Sequence, residues 1–169
     1  MRTPFAPIAV VLAALACAPL AGCGFTPLYA TPALTPALSS VDVVLPGTSR
    51  TGFLLKEQLR SQLNHDSDEP AHYRLTITLT ESRSPQGVRV NNVANRYEID
   101  MTTNYTLTDA TTGKVLRVGA VSSEVSYDSA DPPYAGVAAN QDGEQRIAQE
   151  AAIRLRLELA RYFEHQAVP

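Results

Sequence analysis

The sequence contains no tryptophan, only two cysteines and two methionines, and few lysines. Two cysteines are too few for a disulfide scaffold or for a zinc module with four cysteine or histidine ligands. Lys and Arg number 14 against 17 Asp and Glu, which gives a net charge of −3. Such a chain offers no polycationic surface for a phosphate backbone, so we predict no nucleic-acid partner. Its 169 residues are enough for one domain but not comfortably for two.

Sequence motifs of common catalytic and nucleotide-binding sites are also missing. The chain has no G-x-S-x-G elbow, no S-x-x-K at a helix start, no G-x-x-x-x-G-K phosphate loop and no G-x-G-x-x-G turn. His65 and His72 flank an acidic turn that contains Asp66, Asp68 and Glu69. A weak metal site is conceivable there, but solvated turn residues are the commoner outcome. We therefore predict a protein that is not an enzyme and has no metal site and no cofactor.

The first 23 residues have the features of an export signal. They carry one charge, Arg2, followed by an apolar run from Phe5 to Leu20 that is too short and too interrupted by proline for a membrane-spanning helix. The closing Leu20-Ala21-Gly22-Cys23 resembles the lipobox of bacterial lipoproteins, in which the cysteine thiol receives a diacylglyceryl group and the new amine is acylated. We predict a signal peptide over residues 1–22 and lipidation, including palmitate, of Cys23. The alternative is an ordinary secretory signal with an incidental cysteine.

The lipidated cysteine is predicted to begin a tether over residues 23–40. Pro27, Pro32 and Pro36 are spaced so that neither helix nor sheet is expected to propagate there. Two or more acyl chains anchor a protein stably to a bilayer. Residues 41–169 then form the folded domain, held at a membrane surface.

The rest of the chain shows the two hydrophobic periods of regular secondary structure. Strands are predicted at 41–45, 73–80, 97–108 and 115–127, and helices from Ser49 or Thr51 to about Asn64 and from Asn140 or Asp142 to about Phe163. The apolar phase changes within the fourth strand, which predicts a bulge near Gly119. The order β-α-β-β-β-α predicts an α+β fold in which a four-stranded mixed sheet carries two helices on one face.

One charge pattern stands out in this acidic chain. Arg83, Arg89 and Arg96 surround the connection between the second and third strands, and no acid lies between Ser82 and Tyr97. A basic patch at a sheet end pairs well with phosphates or carboxylates through the forked guanidinium group. The alternative is that the arginines keep the loop soluble and pair with the nearby Glu81 and Glu98.

Several of these features together resemble one protein family. Cys23 is followed at once by Gly24-Phe25-Thr26-Pro27-Leu28-Tyr29, and the chain closes with Gln141-Asp142-Gly143-Glu144-Gln145 leading into a helix that ends in Leu159-Ala160-Arg161-Tyr162-Phe163. With the β-α-β-β-β-α order, these segments look like the LptE family of lipopolysaccharide-assembly lipoproteins. The Cys-Gly-Phe-x-Pro-Leu-Tyr opening is the most specific of them.

The resemblance implies a noncatalytic lipoprotein, lipid-anchored at the periplasmic face of the outer membrane, with an LptE-like α/β sandwich domain. Such a protein plugs the β-barrel of LptD, helps that barrel to assemble, and assists the insertion of lipopolysaccharide into the outer leaflet. The resemblance also implies lipopolysaccharide contacts through basic residues near a sheet end, here Arg83, Arg89 and Arg96. The alternative functions are an auxiliary periplasmic lipoprotein of a transport complex, a secretin-type chaperone, or, less favoured, a lipoprotein hydrolase.

Overall fold

The computed structural model describes residues 34–47, 49–65, 70–87, 96–128 and 133–167. Seven elements follow one another in these residues: α1 (Leu34–Ser39), β1 (Val41–Val44), α2 (Arg50–Leu63), β2 (Tyr73–Pro85), β3 (Arg96–Asp109), β4 (Val115–Asp128) and α3 (Pro133–Ala167). The α+β class and the four-stranded mixed sheet are confirmed, with one short helix added to the predicted order.

Three groups of residues discussed above lie outside the described ranges. They are residues 1–33, which include the signal segment, Cys23 and most of the tether with the motif that follows Cys23, the acidic turn 66–69, and Arg89. The predictions made for them, including the boundaries of the signal and of the tether, stay predictions.

The sheet has the strand order β1-β2-β3-β4. β1 runs parallel to β2 after the crossover through α2, and β2, β3 and β4 form an antiparallel meander, which makes the sheet mixed. β1 pairs only with Tyr73 to Thr76. From Ile77 onward, therefore, no strand in the described part of the chain lies on that side of β2.

The core lies between one face of the sheet and the helices α2 and α3. The inward side chains of the strands alternate with solvent-facing ones, as a half-buried sheet requires. The buried apolar residues of the sheet are Val41, Val43, Leu75, Ile77, Ile99, Met101, Tyr105, Leu107, Val121 and Tyr127. Those of the two long helices are Leu55, Leu59, Leu63, Ile147, Ala148, Ala151, Ala152, Leu155, Leu159, Ala160 and Phe163. The opposite face of the sheet consists mainly of threonine, serine and charged residues.

The start of α2 is decided by Ser49, one of the two predicted caps. Its Oγ accepts a hydrogen bond from the backbone N–H of Gly52 at 3.1 Å, which satisfies one of the free donors of the first turn. The helix ends at Asn64, which adopts a left-handed conformation with φ 54°. Asparagine tolerates this conformation better than most residues, so the predicted end is also explained.

The short helix α1 lies in a segment for which the sequence predicts no helix. Pro36 is its third residue, in the first turn, where a backbone N–H has no partner in any case. The proline spacing therefore prevents a long helix but permits a single short one. Leu38 of α1 is buried in the core, and the Ser39 carbonyl lies 2.6 Å from Nδ1 of His65.

The helix α3 begins earlier than the sequence predicts. It starts at Pro133, and therefore Asn140 and Asp142 lie within the helix instead of capping it. Asp142 accepts a hydrogen bond from Arg146 one turn later, at 2.8 Å. Position 143 is occupied by glycine although it lies inside the helix, because a Cβ there would lie only 3.0 Å from the ring of Tyr127. The close approach of helix and sheet outweighs the low helix propensity of glycine.

The irregularity in β4 lies at a different residue from the predicted one. Leu107 pairs with Arg117 and Thr108 pairs with Val115, so Leu116 is the extra residue of a bulge. Gly119 has another role, because it faces Tyr105 across the strands. A Cβ at Gly119 would lie 2.6 Å from Tyr105 Oη, so any other residue at this position would require the tyrosine ring to move.

The outer edge of β4 is partly covered by arginines of α3. Arg146 donates a hydrogen bond to the Ser126 carbonyl at 3.2 Å, and Arg154 donates one to the Ser122 carbonyl at 2.8 Å. Unpaired edge carbonyls are a template for unwanted strand addition. The arginines therefore protect this part of a 14-residue edge strand.

We predict that Leu155→Ala will lower the stability of the domain by about 2 to 5 kcal/mol, because Leu155 is fully buried between α3 and the sheet. Ile153→Ala is the matched control, since this side chain is 41% exposed on the same helix. Thermal unfolding followed by circular dichroism measures both. Similar losses for the two variants would contradict the packing phase of α3.

Candidate functional site

Two of the three predicted arginines lie at one end of the sheet. Arg83 lies two residues before the end of β2, and Arg96 is the first residue of β3. The antiparallel pairing places Arg83 opposite Ile99, so both arginines are near the β2–β3 connection. The two arginines lie near the same sheet end but on opposite faces of the sheet, and Arg89 lies outside the described residues, so the basic patch stays a prediction. We call this region the basic end.

Arg83 is held on the helix-covered side of the sheet. Its Nη1 donates a hydrogen bond to Asn140 Oδ1 at 2.6 Å and lies 3.4 Å from Tyr127 Oη. The guanidinium carbon is 5.7 Å from the centre of the Tyr97 ring, within range for a cation–π contact. Arg83 therefore joins the far end of β2 to α3.

The contacts of Arg83 continue through α3 to α2. Tyr127 Oη donates to Asn140 Oδ1 at 2.9 Å, and Asn140 Nδ2 donates to Glu144 Oε1 at 2.8 Å. Glu144 Oε2 lies 2.9 Å from Arg50 Nε, as an ion pair. A chain of polar side chains thus links β2, β4, α3 and α2, and we call it the polar relay.

Arg96 has a more exposed environment. It forms an ion pair with Asp128 on the neighbouring strand, with 3.0 Å between Nε and Oδ1. Both side chains are more than half exposed, so the pair contributes little to stability. The alternative prediction is that the arginines pair with Glu81 and Glu98. Arg96 instead forms its ion pair with Asp128.

The outer face of the sheet beside the basic end is acidic. Asp100 lies directly opposite Glu124 on the adjacent strand, and Glu98 is the next residue on the same face of β3. The pKa of Glu98 is raised above its ordinary value by desolvation, and further by the negative charges of Glu124 and Asp100. Opposite charges therefore occupy neighbouring surfaces at this end of the domain.

The described residues contain no group of three His, Cys, Asp or Glu side chains arranged to hold a metal ion. Of the two histidines considered above, His65 contacts a backbone carbonyl of α1 and His72 is exposed. None of the helices in the described ranges is both long and apolar enough to cross a membrane.

Several residues of the polar relay were not predicted as parts of a site. Tyr97 and Tyr127 have the spacing of ordinary inward strand residues, and their rings stack with centres 5.6 Å apart. Asn140 was predicted only as a possible helix cap. Nothing local in the sequence indicates that these residues meet, because they belong to three different elements, β3, β4 and α3.

Solved structures of bacterial lipoproteins share this architecture. The chain is 41% identical to a candidate lipoprotein from Caulobacter crescentus CB15, with a TM-score of 0.71 over 81% of this chain and 99% of that one. The rare lipoprotein B from Shewanella oneidensis is 16% identical, with a TM-score of 0.53 over 75% of this chain and 97% of that one. A minor lipoprotein from Acinetobacter baumannii is 12% identical, with a TM-score of 0.55 over 71% and 89%. The comparison with curated proteins gave no match.

The fold is therefore that of a class of bacterial lipoprotein domains. Within this class, the chain belongs to the LptE, lipopolysaccharide-assembly family, whose model matches residues 38–161. Members of this family are noncatalytic outer-membrane lipoproteins, and membership gives the chain a role in lipopolysaccharide assembly. The match covers nearly all the described elements, from α1 into α3.

We predict that Asn140→Ala will destabilise the domain by about 1 to 2 kcal/mol, because it removes the acceptor shared by Arg83 and Tyr127. Gln141→Ala, at an exposed neighbouring position of α3, should have little effect. The two variants are compared by thermal unfolding. Equal stability of Asn140→Ala and the wild type would show that the relay does not hold the elements together.

Proposed function

We propose that this chain is a noncatalytic, lipid-anchored plug of an LptD-like outer-membrane β-barrel, on its periplasmic side, and that it assists the transfer of lipopolysaccharide to the outer leaflet. The observation that carries the proposal is the family match over residues 38–161. Family membership supports the role in lipopolysaccharide assembly, and the barrel and the direct lipid contact are the finer parts of the proposal.

The surface of the sheet supports the proposal that the domain acts as a plug. Its solvent-facing side presents rows of hydroxyl groups opposite one another, such as Thr80 with Thr102 and Thr102 with Ser122. The interior wall of an outer-membrane barrel is polar, and a plug must match it without presenting a large apolar patch. The exposed large apolar side chains of the described residues are distributed over α2, β4 and α3.

The basic end supports a contact with the phosphates of lipopolysaccharide. Arg96 is exposed, and its only acidic partner within the described ion pairs is Asp128, which is more exposed still. A guanidinium group has five N–H donors, so one such pair leaves donors for a phosphate. We propose that Arg89 and Arg96 make this contact, and that Arg83, through Tyr97 and Asn140, both contributes charge and fixes the strand end.

The anchor is proposed to be the acylated Cys23. We predict that Cys23→Ala, expressed without a barrel partner, will move from the membrane fraction to the soluble fraction, because the acyl chains are then absent. Mass spectrometry of the wild-type chain should show the lipid. Quantitative membrane binding of the variant, together with an unmodified wild-type chain, would contradict the anchor.

For the lipid contact, we predict that Arg89→Glu with Arg96→Glu will weaken lipopolysaccharide binding by the full chain in non-ionic detergent by about tenfold or more, because attraction to phosphate becomes repulsion. Wild-type binding should also fall as salt is added. Arg74→Glu with Arg161→Glu is the control, since it makes the same charge change at exposed positions elsewhere. Unchanged affinity of the first variant at low salt would remove these arginines from the mechanism.

The barrel partner is tested in the same proteins. After crosslinking in outer membranes, the wild type and both double variants should copurify with an LptD-like barrel identified by mass. Recovery of a secretin, or of a transport complex without such a barrel, would replace the plug by one of the alternative functions.

A further inference from the structure

The helix α2 has a row of side chains that the basic end does not include, of which Arg50 and Phe53 are exposed and Lys56 is half-buried. Arg50, Phe53 and Lys56 are three residues apart, so they follow one another along one side of the helix. At a rise of 1.5 Å per residue, the two cationic residues are separated by about 9 Å along the axis. The Phe53 side chain between them is 65% exposed, although the opposite side of α2 is buried. We call these three residues the α2 row.

The α2 row borders a cleft of about 430 Å³. The remaining lining comes from Leu45, Ser49 and two glycines of the loop and first helical turn. The cleft lies beyond the end of β1, where β2 has no strand beside it in the described part of the chain. Its volume is within the range of sites that hold small ligands.

The charge of this cleft is opposite to that of the chain as a whole. Among the described residues, its lining contains two cationic residues and no acidic residue, in a chain with a net charge of −3. Glu144 pairs with Arg50 from beneath and is mostly buried, and Glu57 follows Lys56 but does not line the cleft. Lys56 makes no ion pair among the described contacts. A positive charge is thus available beside an exposed aromatic ring.

This combination fits an anionic amphiphile. The lysine ammonium and the arginine guanidinium suit a phosphate group, which forms charge-assisted hydrogen bonds with both. Phe53 and Leu45 offer apolar surface to the face of a sugar ring or to the first carbons of an acyl chain. A small soluble anion would contact only the cationic groups, whereas a phosphorylated lipid would contact both the cationic groups and the exposed ring.

We propose that the cleft along the α2 row binds a phosphorylated glycolipid, as a contact separate from Arg89 and Arg96. The inference rests on the proposed function, since that function supplies the lipid. The polar relay connects the two regions, because Arg50 pairs with Glu144 and Glu144 reaches Arg83 through Asn140. Side-chain contacts thus join the cleft to the basic end.

The test compares two double variants of the full chain in non-ionic detergent micelles that contain lipopolysaccharide. Phe53→Ser with Lys56→Gln removes the exposed ring and the uncompensated charge. Val118→Ser with Lys114→Gln is the matched control, because it removes an exposed apolar side chain and a lysine from β4 and its preceding turn. Circular dichroism spectra and melting curves establish that both variants are folded.

We expect the first variant to bind lipopolysaccharide about five- to tenfold more weakly than the wild type, and the control to stay within about twofold. Removing the phosphates enzymatically should weaken binding by the wild type more than binding by the first variant. A photoreactive benzoylphenylalanine in place of Phe53 should crosslink to lipopolysaccharide, and the same group in place of Val118 should not.

Equal affinities of the first variant and the wild type would overturn the inference. Detergent micelles that contain phosphatidylglycerol instead of lipopolysaccharide give a second test. The inference would also be overturned if the wild type bound these micelles as tightly and the first variant weakened that binding by the same factor, since the site would then be one for anionic lipids in general. A wild-type chain that fails to bind lipopolysaccharide overturns the inference as well. The plug itself is judged separately, by copurification with the barrel.

Discussion

The packing of α3 across one face of the sheet is the interaction on which the rest of the structure depends. This helix of 35 residues contributes Ala148, Ala151 and Ala152 to the core, and these small side chains let its axis approach the strands closely. The same closeness explains the glycine at position 143, beneath the ring of Tyr127. Because α2 and α3 cover one face only, the other face stays in solvent and must be polar. The one-sided core thus produces the hydroxyl-rich surface that the proposed plug uses.

The polar relay requires hydrogen-bond partners for partly buried polar groups, and it positions side chains at the basic end. Burying polar groups is unfavourable unless they are paired, and here Asn140 accepts from Arg83 and Tyr127 while it donates to Glu144. The helices are thereby fixed to the ends of β2 and β4, and guanidinium groups are held near one end of the sheet. Arg96 remains outside the relay, in solvent beside the acids of the outer face. Positive and negative surfaces therefore meet at this end, and an anion would be attracted to the arginines and repelled by the acidic outer face.

The LptE family is noncatalytic, and the described surfaces of this member differ in character. Here a polar sheet face, a basic end and a cationic cleft beside an exposed phenylalanine belong to separate elements of one small domain. The short strand β1 is part of this arrangement, because its early end leaves room for the cleft at the start of α2.

The sequence by itself determined the four strands and limited the cap of α2 to Ser49 or Thr51, because alternation of apolar residues and capping are properties of neighbouring residues. It also indicated the family and placed Arg83, Arg89 and Arg96 around the connection between β2 and β3. The early start of α3, the bulge at Leu116 and the need for glycine opposite Tyr105 were decided by tertiary structure. So was the relay from Arg83 to Arg50, whose members are separated by up to 94 positions, from Arg50 to Glu144. Such contacts depend on how closely a helix and a sheet approach each other, and this distance is set by the packing of the whole core.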